Sequence, residues 1–342
     1  MALEPTLSGR RAGLDDGLVE PNAELRKNPG MGYAAVLGEA LIDLLETDLP
    51  DGGPGYRPAV GGAPFNVAVG VARLGGDAEF IGSISTDRLG ERLHGFLVSN
   101  GVGTGGAKRV GVPTTLALTS FAGAEPDFAF YGDSHGMLSP DDLDPAVLAE
   151  AAVTYTGSIA MLRPPTLAAA RAAWQVPGAR KVFDPNARPR LLTDVAGYRA
   201  VVEEFAAGAD LVKLSSADAT VLWDADERTV AARLAGLGAE TVVVTRGAAG
   251  ALLRHEGSEQ EIPAPRVVAV DATGTGDSVM AALIHGLLLT GRDARPDWPA
   301  LVRYALAVGA LTVEGRGGAT ALPTGERVRA RFPDAVPGAA AP

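Results

Sequence analysis

The feature that most constrains the fold of this chain is a regular alternation of strand and helix patterns after residue 150. Short runs typical of buried strands are separated there by stretches of helical periodicity. The runs lie at Ser158–Met161, Lys181–Phe183, Asp210–Lys213 and Thr241–Thr245. Parallel strands need crossover connections of this kind, and the crossovers place helices on the faces of the sheet. The second half of the chain therefore predicts an α/β domain with a mostly parallel sheet.

The first half of the chain adds a second kind of β structure. Tyr33–Leu37 and Phe80–Ile84 have the pattern of buried strands, and a helix is expected from Gly61 to Leu74. By contrast, Val112–Phe121 and Asp127–Tyr131 have the pattern of antiparallel strands. We therefore expect one large α/β domain with a small β excursion in its N-terminal half.

Neither repeats nor long linkers divide the 342 residues into separate domains. Hydrophobic residues make up 46% and charged residues 21%, as in an ordinary globular protein with a substantial core. Residues 1–32 lack hydrophobic periodicity and are expected to form an arm outside the core, whereas 331–342 are expected to be a loose tail. The folded domain is expected to span residues 33–330.

Charge and residue types exclude several functions. The formal net charge of −11 disfavours binding to the phosphates of a nucleic acid. The chain has no cysteine, which removes disulfides, thiolate metal sites and cysteine nucleophiles, and its four histidines lack metal-ligand spacing. The longest apolar stretch, Val279–Leu289, is too short to span a bilayer, and residues 1–32 have no signal-peptide core. We expect a cytoplasmic protein with no nucleic-acid or membrane partner. A small anionic ligand stays open, because a helix N-terminus or a metal ion can hold phosphate.

One glycine-rich segment, Gly101–Gly106, matches the dinucleotide-binding pattern G-x-G-x-x-G. That pattern needs a strand before it and a helix after it, whereas here a helical pattern at Leu89–Val98 comes first and a strand-like run follows. The chain has no Gly-Lys pair, which also excludes the Walker A phosphate-binding motif. We interpret Gly101–Gly106 as a loop.

The strongest chemical signal is Asp271-Ala-Thr-Gly-Thr-Gly-Asp277, directly before an apolar helix at Ser278–Leu289. Its glycines let several backbone N–H groups converge at the helix N-terminus, where the dipole favours negative charge. Such donors can stabilise a transferring phosphoryl group, and Asp277 can accept the proton of an attacking hydroxyl. The alternative is that Asp277 only caps the helix and that the glycines only form a tight turn.

Two separated signatures resemble the ribokinase-like carbohydrate kinases, the PfkB family, and within it the bacterial fructokinase-type members. One signature is Gly61-Gly-Ala-Pro-Phe-Asn66, followed by Arg73-Leu-Gly75, and the other is Asp271–Asp277. Supporting segments occur in the family's order at residues 38–43, 184–189, 213–218 and 245–250. The resemblance covers about residues 33–325 and implies ATP-dependent phosphorylation of a sugar hydroxyl.

The resemblance also implies a three-layer α/β/α sandwich with a small β-sheet lid, contributed by segments within about 39–60 and 110–132. The lid often forms a dimer contact in this family, so a homodimer is expected. Asp277 is implied as the general base, and the backbone of Gly274, Thr275 and Gly276 as the site that binds the phosphoryl group. The residues implied in sugar binding are Asp43, Gly61, Gly62, Asn66 and Arg163.

On the nucleotide side the resemblance implies ATP and Mg²⁺, held near Asn186, Lys213, Ser215, Thr245, Gly247 and Gly250. Several of these follow strand patterns, where open α/β sheets bind ligands. The family's metal-proximal Asn-x-x-Glu is here Ser215-Ser-Ala-Asp218. Asp218 is thus either a candidate Mg²⁺ ligand with a shorter side chain or a plain surface residue. Asp271 and Thr273 resemble positions that help bind a monovalent cation such as K⁺, with backbone carbonyls near residues 315–318.

Fructose is the expected substrate, because Pro64 and the stretch Asp184–Pro189 are similar to those of fructokinase-type members. The alternatives on the same fold are kinases for 2-keto-3-deoxygluconate, ribose or a nucleoside. A non-catalytic sugar or nucleotide sensor is a further alternative, and the presence of Asp277 with its glycines argues against it.

Overall fold

A large β-sheet forms the centre of the molecule. The computed structural model describes residues 30–48, 53–122 and 125–337. Within these ranges one sheet has nine strands, in the spatial order Ser258–Ile262 (β13), Ala251–His255 (β12), Thr241–Thr245 (β11), Leu211–Ser215 (β10), Arg180–Asp184 (β9), Val153–Gly157 (β8), Ala34–Leu37 (β1), Ala78–Ser85 (β4) and Ala107–Val110 (β5). Pairing is parallel from β11 to β5, and β12 and β13 add an antiparallel edge.

Helices cover both faces of this sheet. In chain order they are Ala63–Leu74 (α1), Arg88–Ser99 (α2), Pro145–Glu150 (α3), Pro164–Trp174 (α4), Val195–Ala206 (α5), Ser216–Trp223 (α6), Glu227–Leu237 (α7), Thr275–Thr290 (α8), Trp298–Val313 (α9), Gly318–Ala321 (α10) and Gly325–Arg331 (α11). One core joins the sheet to α1, α2, α8 and α9, and the other joins it to α3 to α7. Along β1, Val36 belongs to the first core, whereas Ala35 and Leu37 belong to the second, as strand alternation requires. The predicted three-layer sandwich is confirmed.

A second, smaller sheet carries part of the candidate site. Its strands follow the order Pro54–Gly61 (β3), Leu41–Asp48 (β2), Leu116–Ala122 (β6) and Glu125–Tyr131 (β7). The β2–β3 and β6–β7 pairs are antiparallel, and the central β2–β6 pair is parallel. Ala59, Asp43, Ala117 and Phe130 lie directly opposite one another across the four strands, so they share one face.

The strand expected at Ser158–Met161 was wrong. The strand of that region is β8, which ends at Gly157, and residues 158–162 form a 3₁₀ helix. Ser158 has a φ of 62°, which a strand cannot accommodate. Ile159, Ala160 and Met161 are all buried, and a short buried apolar run of this kind cannot be told from a strand by its residue pattern.

Several expectations concern the ends of the chain and the membrane. Of the predicted N-terminal arm, residues 1–29 lie outside the described residues, and so do residues 338–342 of the predicted tail. Within the predicted tail, Arg331 ends α11, Pro333–Ala335 form a short 3₁₀ helix, and Phe332 and Val336 pack against the first core. A search of the described ranges finds no helix that is both long and apolar enough to span a membrane.

Candidate active site

The candidate site lies where the parallel strands end and α8 begins. Gly274 is the N-cap of α8, and Asp277 lies in the first turn. Asn66 lies near the start of α1, which packs against α8 in the same core. Ser215 and Asn186 come at or just after the carboxyl ends of the neighbouring strands β10 and β9. This edge of an open parallel sheet is where ligand-binding loops gather.

The Asp277 carboxylate is buried and held by an amide. Asn66 Nδ2 donates a hydrogen bond of 2.7 Å to Asp277 Oδ2, and only 8% of Asp277 is exposed. Burial raises the pKa of Asp277, while the Asn66 bond and the charges of Lys213 and Arg188 lower it. Because Nδ2 faces Asp277, Asn66 Oδ1 is left as a buried acceptor without a protein partner in the described chain. A substrate hydroxyl can therefore bind Asn66 and lie next to Asp277.

The turn into α8 depends on glycine at its N-cap. Gly274 has a φ of 77°, and a Cβ at this position would lie 2.9 Å from the Cα of Gly318. No side chain caps this helix. The Thr275 N–H donates to the Ala272 carbonyl over 3.1 Å, and the N–H groups of Gly276 and Asp277 remain available to an anion. Among the described residues, Thr275 Oγ1 is a further buried polar atom without a protein partner. The arrangement suits the charge of a transferring phosphoryl group.

The Gly61-Gly62 pair shapes the link between β3 and α1. A Cβ on Gly61 would collide with Oδ2 of Asp43, so glycine lets this carboxylate lie across the strand pair. Gly62 has a φ of 105°, and a Cβ there would lie 2.7 Å from the carbonyl oxygen of Glu39. The expected sugar-binding motif thus positions a carboxylate on one side and a tight helix start on the other.

Asp43 reaches the site from the small sheet. Burial raises the pKa of Asp43 to about 7, with Arg188 lowering it and Asp277 raising it further. The structure therefore brings Asp43, Asn66 and Asp277 around one site, from three distant parts of the chain.

Arg188 is a site residue to which the sequence analysis gave no role. Its Nη1 donates a 2.6 Å hydrogen bond to Asn186 Oδ1, and its charge lowers the pKa of both Asp43 and Asp277. The available signal was the Asp184–Pro189 stretch itself, which contributes to the resemblance without indicating where the guanidinium points. Asn186 has a φ of 38° and lies at the end of β9.

Lys213, expected on the nucleotide side, is buried below the site. Its Nζ lies 2.8 Å from Asp184 Oδ2, and the two side chains expose 4% and 1% of their surface. Asp184 belongs to the same sequence stretch as Arg188, but no sequence signal indicates that it pairs with Lys213.

Asp218 is engaged at both carboxylate oxygens. Its Oδ2 accepts hydrogen bonds from the backbone N–H and the hydroxyl of Ser215, and its Oδ1 accepts one from the Ala187 N–H. Asp218 is 5% exposed, so the surface-residue alternative is wrong. Ser215 and Asp218 together form the capping box of α6.

The acidic residues of the site determine how Mg²⁺ could be held there. In the part of the chain that the structure describes, no three His, Cys, Asp or Glu side chains are grouped so as to hold a metal ion. Asp218 has no oxygen free of hydrogen bonds. This donor set fits an ion that is held mainly by ATP phosphates and water, which is the usual preference of Mg²⁺.

The remaining nucleotide-side residues lie at the ends of β10 and β11. Thr245 is directly opposite Ser215 in the β10–β11 pair. Gly247 has a φ of 55°, and a Cβ there would meet open space. Gly250 has a φ of 92°, and a Cβ there would collide with the Ile262 carbonyl, so this glycine is required by the β12–β13 edge rather than by a ligand.

The predicted monovalent-cation residues join two loops. Asp271 accepts hydrogen bonds of 2.8 Å from the N–H groups of Thr273 and Gly317. Burial alone would raise the pKa of Asp271, and these bonds lower it overall. The structure does bring Asp271 next to residues 315–318, but the contact it shows uses an N–H group and not a carbonyl.

The side-chain hydrogen bonds of Arg163 go to residues other than the expected sugar-binding ones. Its Nη2 donates to Asp133 Oδ1 over 2.6 Å, and its Nε donates to His135 Nε2 over 3.1 Å. Arg163, His135 and Phe130 line a cavity of about 420 Å³ to which Asp43, Asn66 and Asp277 do not contribute. A Cβ on Gly136 would collide with the Arg163 side chain, so glycine at that position lets Arg163 reach His135.

Comparison with known proteins identifies the family of this chain. Residues 31–325 match the model described as pfkB family carbohydrate kinase. The chain belongs to the pfkB family. A fructokinase of Klebsiella pneumoniae is 35% identical to this pfkB kinase over 310 residues, which cover 85% of the chain and 96% of the relative.

Solved structures are similar over the same extent. A fructokinase from Xylella fastidiosa with bound ATP gives a TM-score of 0.79 at 28% identity, covering 88% of this chain and 98% of the other. An aminoimidazole riboside kinase from Salmonella enterica, complexed with aminoimidazole riboside and an ATP analog, gives 0.77 at 27% identity, covering 87% and 98%. The expected ribokinase-like fold is confirmed, and this pfkB member is an ATP-dependent carbohydrate kinase whose ligands are a small sugar and ATP.

Proposed function

We propose that this kinase transfers the γ-phosphoryl group of ATP to a hydroxyl of fructose. The observation that carries the proposal is the buried Asp277 at the N-terminus of α8, hydrogen-bonded to Asn66 and electrostatically coupled to Asp43. A carboxylate beside converging N–H groups can accept a proton next to the place where phosphoryl charge develops. Fructose is favoured over other sugars by the similarity to the Klebsiella pneumoniae fructokinase.

On the acceptor side, the small sheet and the sandwich each contribute one carboxylate. Asp43 and the unpartnered Oδ1 of Asn66 accept hydrogen bonds from sugar hydroxyls. The hydroxyl that attacks lies at Asp277, which accepts its proton. The Arg188 guanidinium favours the ionised form of both carboxylates.

On the phosphoryl side, the backbone N–H groups of Gly276 and Asp277 bind the developing negative charge. Ser215, Thr245 and Gly247, at the ends of β10 and β11, lie at the edge of the sheet that would receive the nucleotide. Mg²⁺, when bound with ATP, supplies neutralisation of the phosphate oxygens. Asp218 Oδ1 accepts only the Ala187 N–H, so it keeps a lone pair that can accept a hydrogen bond from a water molecule of the ion's hydration shell.

The test is ADP release from Mg·ATP across a panel of free sugars, with wild type, Asp277→Asn and Asp226→Asn. Asp226 caps α7 through its side chain and serves as the matched helix-cap control. We expect one strong response, from fructose, and a kcat about 10²- to 10⁴-fold lower in Asp277→Asn. The Asp277 side chain does not cap α8, so the cap-only alternative is wrong. Asparagine keeps the size of aspartate and an oxygen that can accept the Asn66 bond, so a merely structural role for Asp277 predicts no loss in either variant. Full turnover in Asp277→Asn would show that the general-base assignment is wrong.

A riboside is the second candidate substrate. The cavity of about 420 Å³ lined by Phe130 and Arg163 offers room for a group attached to a sugar, and the Salmonella enterica neighbour is a riboside kinase. The panel of sugars therefore includes ribose and ribosides that carry a base. A response restricted to the substituted sugar would favour this candidate over fructose.

We also propose that the kinase forms a homodimer through the outer face of the small sheet. Tyr56 and Tyr131 are 44% and 59% exposed, and the strand register places them on the face opposite Asp43. Exposed aromatic residues of this kind are enriched in protein–protein interfaces. Activation by K⁺ stays a prediction, which the same assay tests with and without K⁺.

A further inference from the structure

A buried ion pair lies beneath the first turn of α8. Lys213 and Asp184 stand side by side on the neighbouring strands β10 and β9, and their side chains are almost fully buried. Burying two charges costs several kcal/mol per ion before their attraction is counted, and apolar residues of similar size often stabilise a core as well. Stability alone is therefore a weak reason for a pair at this position.

The helix start accommodates the ammonium closely. A Cβ on Gly276 would lie 3.1 Å from Lys213 Nζ. Gly276 does not have a positive φ, so its backbone conformation does not require glycine. What glycine permits is the approach of Lys213 Nζ to the underside of the backbone whose N–H groups face the phosphoryl site.

We infer that Lys213 is an electrostatic positioning residue for phosphoryl transfer, because its ammonium, held in place by Asp184, adds positive charge where the phosphoryl group meets Asp277. The inference rests on the proposed roles of Asp277 and of the α8 N-terminus. It replaces a direct contact between Lys213 and the nucleotide by an action through the helix start. A helix N-terminus carries only about half a positive charge. Of the ion pair, only the ammonium lies within 4 Å of a Cβ on Gly276, so the pair turns its positive end toward the helix start and adds to that charge.

The effect extends to the protonation of Asp277. The charged and titratable groups around its carboxylate come from every element packed against it: Lys213, Arg188, Asp43, Asp184 and Tyr155. Lys213 and Arg188 are the cations that lower the pKa of Asp277. Without the Lys213 charge this pKa rises, so the base becomes protonated, and kcat falls, at a higher pH than in wild type.

The experiment measures kcat, the KM for sugar and the pH dependence of kcat in Lys213→Met and in the double variant Lys213→Met/Asp184→Asn. The double variant leaves no unpaired buried charge and so preserves the fold if the single variant does not. Lys181→Met, on β9, is the matched control, because Lys181 lies over the ring of Trp174 and away from α8. We expect kcat of the double variant to be about 10- to 100-fold lower than that of wild type. This decrease is at most similar to the decrease in kcat when an enzyme loses one hydrogen-bond donor that contacts the transition state directly. The KM for sugar should stay within about twofold in the double variant. The acid limb should move to higher pH in Lys213→Met, which keeps the Asp184 charge beside Asp277.

A second measurement keeps the inference testable without removing any charge. Gly276→Ala places a methyl group against Lys213 Nζ, and alanine favours the helix. If Gly276→Ala acts by displacing the ammonium, it should cause no further loss of kcat in a chain that already carries Lys213→Met. A double variant Lys213→Met/Asp184→Asn with wild-type kcat, together with an unshifted pH profile in Lys213→Met, would overturn the inference. Failure of the general-base proposal is read separately, from Asp277→Asn alone.

Discussion

In the proposed function, two carboxyl groups divide the recognition of the acceptor. Asp277 is held by Asn66 on the sandwich side, and Asp43 has room on the small sheet only because residue 61 is glycine. Both are buried near Arg188, yet each also feels the other's charge. The state of Asp43 is therefore sensitive to pH near neutrality, because burial raises its pKa to about 7.

The affinity for sugar should fall when the pH falls from 8 to 6. Ionised Asp43 accepts hydrogen bonds from two hydroxyls, and its protonation below a pKa of about 7 removes part of that capacity. The KM for sugar should rise on acidification in wild type. In Asp43→Asn it should be about 10- to 100-fold higher and nearly independent of pH, as expected for loss of hydrogen bonds to a charged group. Glu46→Gln, on the opposite face of the same strand, serves as the control and should keep the wild-type pH dependence.

The start of α8 shows how an element can be shaped for a ligand. Its N-cap Gly274 has a φ of 77° and meets Gly318, whereas its C-cap Gly291 has a φ of 81° and meets open space. Both glycines have a positive φ, but their ψ values are 0° and 165°, and their surroundings differ as well. A comparison of Gly274 with Gly291 therefore distinguishes the need for a positive φ from the need for a close approach of two backbone segments.

Gly274→Ala and Gly291→Ala should therefore differ in kcat. Both alanines must adopt a positive φ, at a cost of about 1 kcal/mol or more in the free energy of unfolding. Gly291→Ala is the more strained of the two, because a positive φ with a ψ of 165° is a conformation that only glycine commonly adopts. Only Gly274→Ala also pushes against the backbone of Gly318, which shifts the N–H groups of the first turn. We expect kcat to fall at least about tenfold in Gly274→Ala and to stay near wild type in Gly291→Ala. Thermal denaturation checks the common stability loss, and equal kcat values in the two variants would contradict this role of Gly274.

The elements with clear periodicity were predictable, and those defined by tertiary contacts were not. The α8 and α9 helices and the strands β9, β10 and β11 follow from buried apolar runs. The edge strand β13 is Ser-Glu-Gln-Glu-Ile, mostly exposed and polar, and its glutamates pair with Arg228 and Arg254 from other elements. No pattern in the sequence predicts these ion pairs.

The same limit applies to the site. The residues Gly61, Gly62, Asn66 and Asp277 occur in compact motifs, and their side-by-side arrangement follows from the resemblance. The pairing of Lys213 with Asp184 depends on strand register, and the position of Arg163 depends on the space left by Gly136. Burial and partner decide the role of such charged side chains, and neither can be read from residue type alone.

At the scale of the whole molecule, the proposed dimer can be tested by one substitution on the small sheet. Tyr131→Lys places a charge on its exposed outer face and should convert the dimer to a monomer. Leu237→Lys, at the exposed end of α7, is the control and should leave the oligomeric state unchanged. Light scattering coupled to size-exclusion chromatography gives the mass directly. A wild-type protein that elutes as a monomer at all concentrations would contradict the proposal.

The placement of Asp43 on the small sheet and of Asp277 on helix α8 has a consequence for hydrolysis of ATP. A water molecule at Asp277 can use the base, but it is too small to reach Asp43 as well, so its position relative to the phosphoryl group stays loosely defined. In the proposed mechanism a sugar spans both carboxylates and is fixed at two points. Selection against the most abundant competing nucleophile then comes from the span between the small sheet and α8 and needs no difference in acidity between water and sugar. Shortening that span by moving the carboxylate, as in Asp43→Glu, should raise the ratio of ATP hydrolysis to sugar phosphorylation.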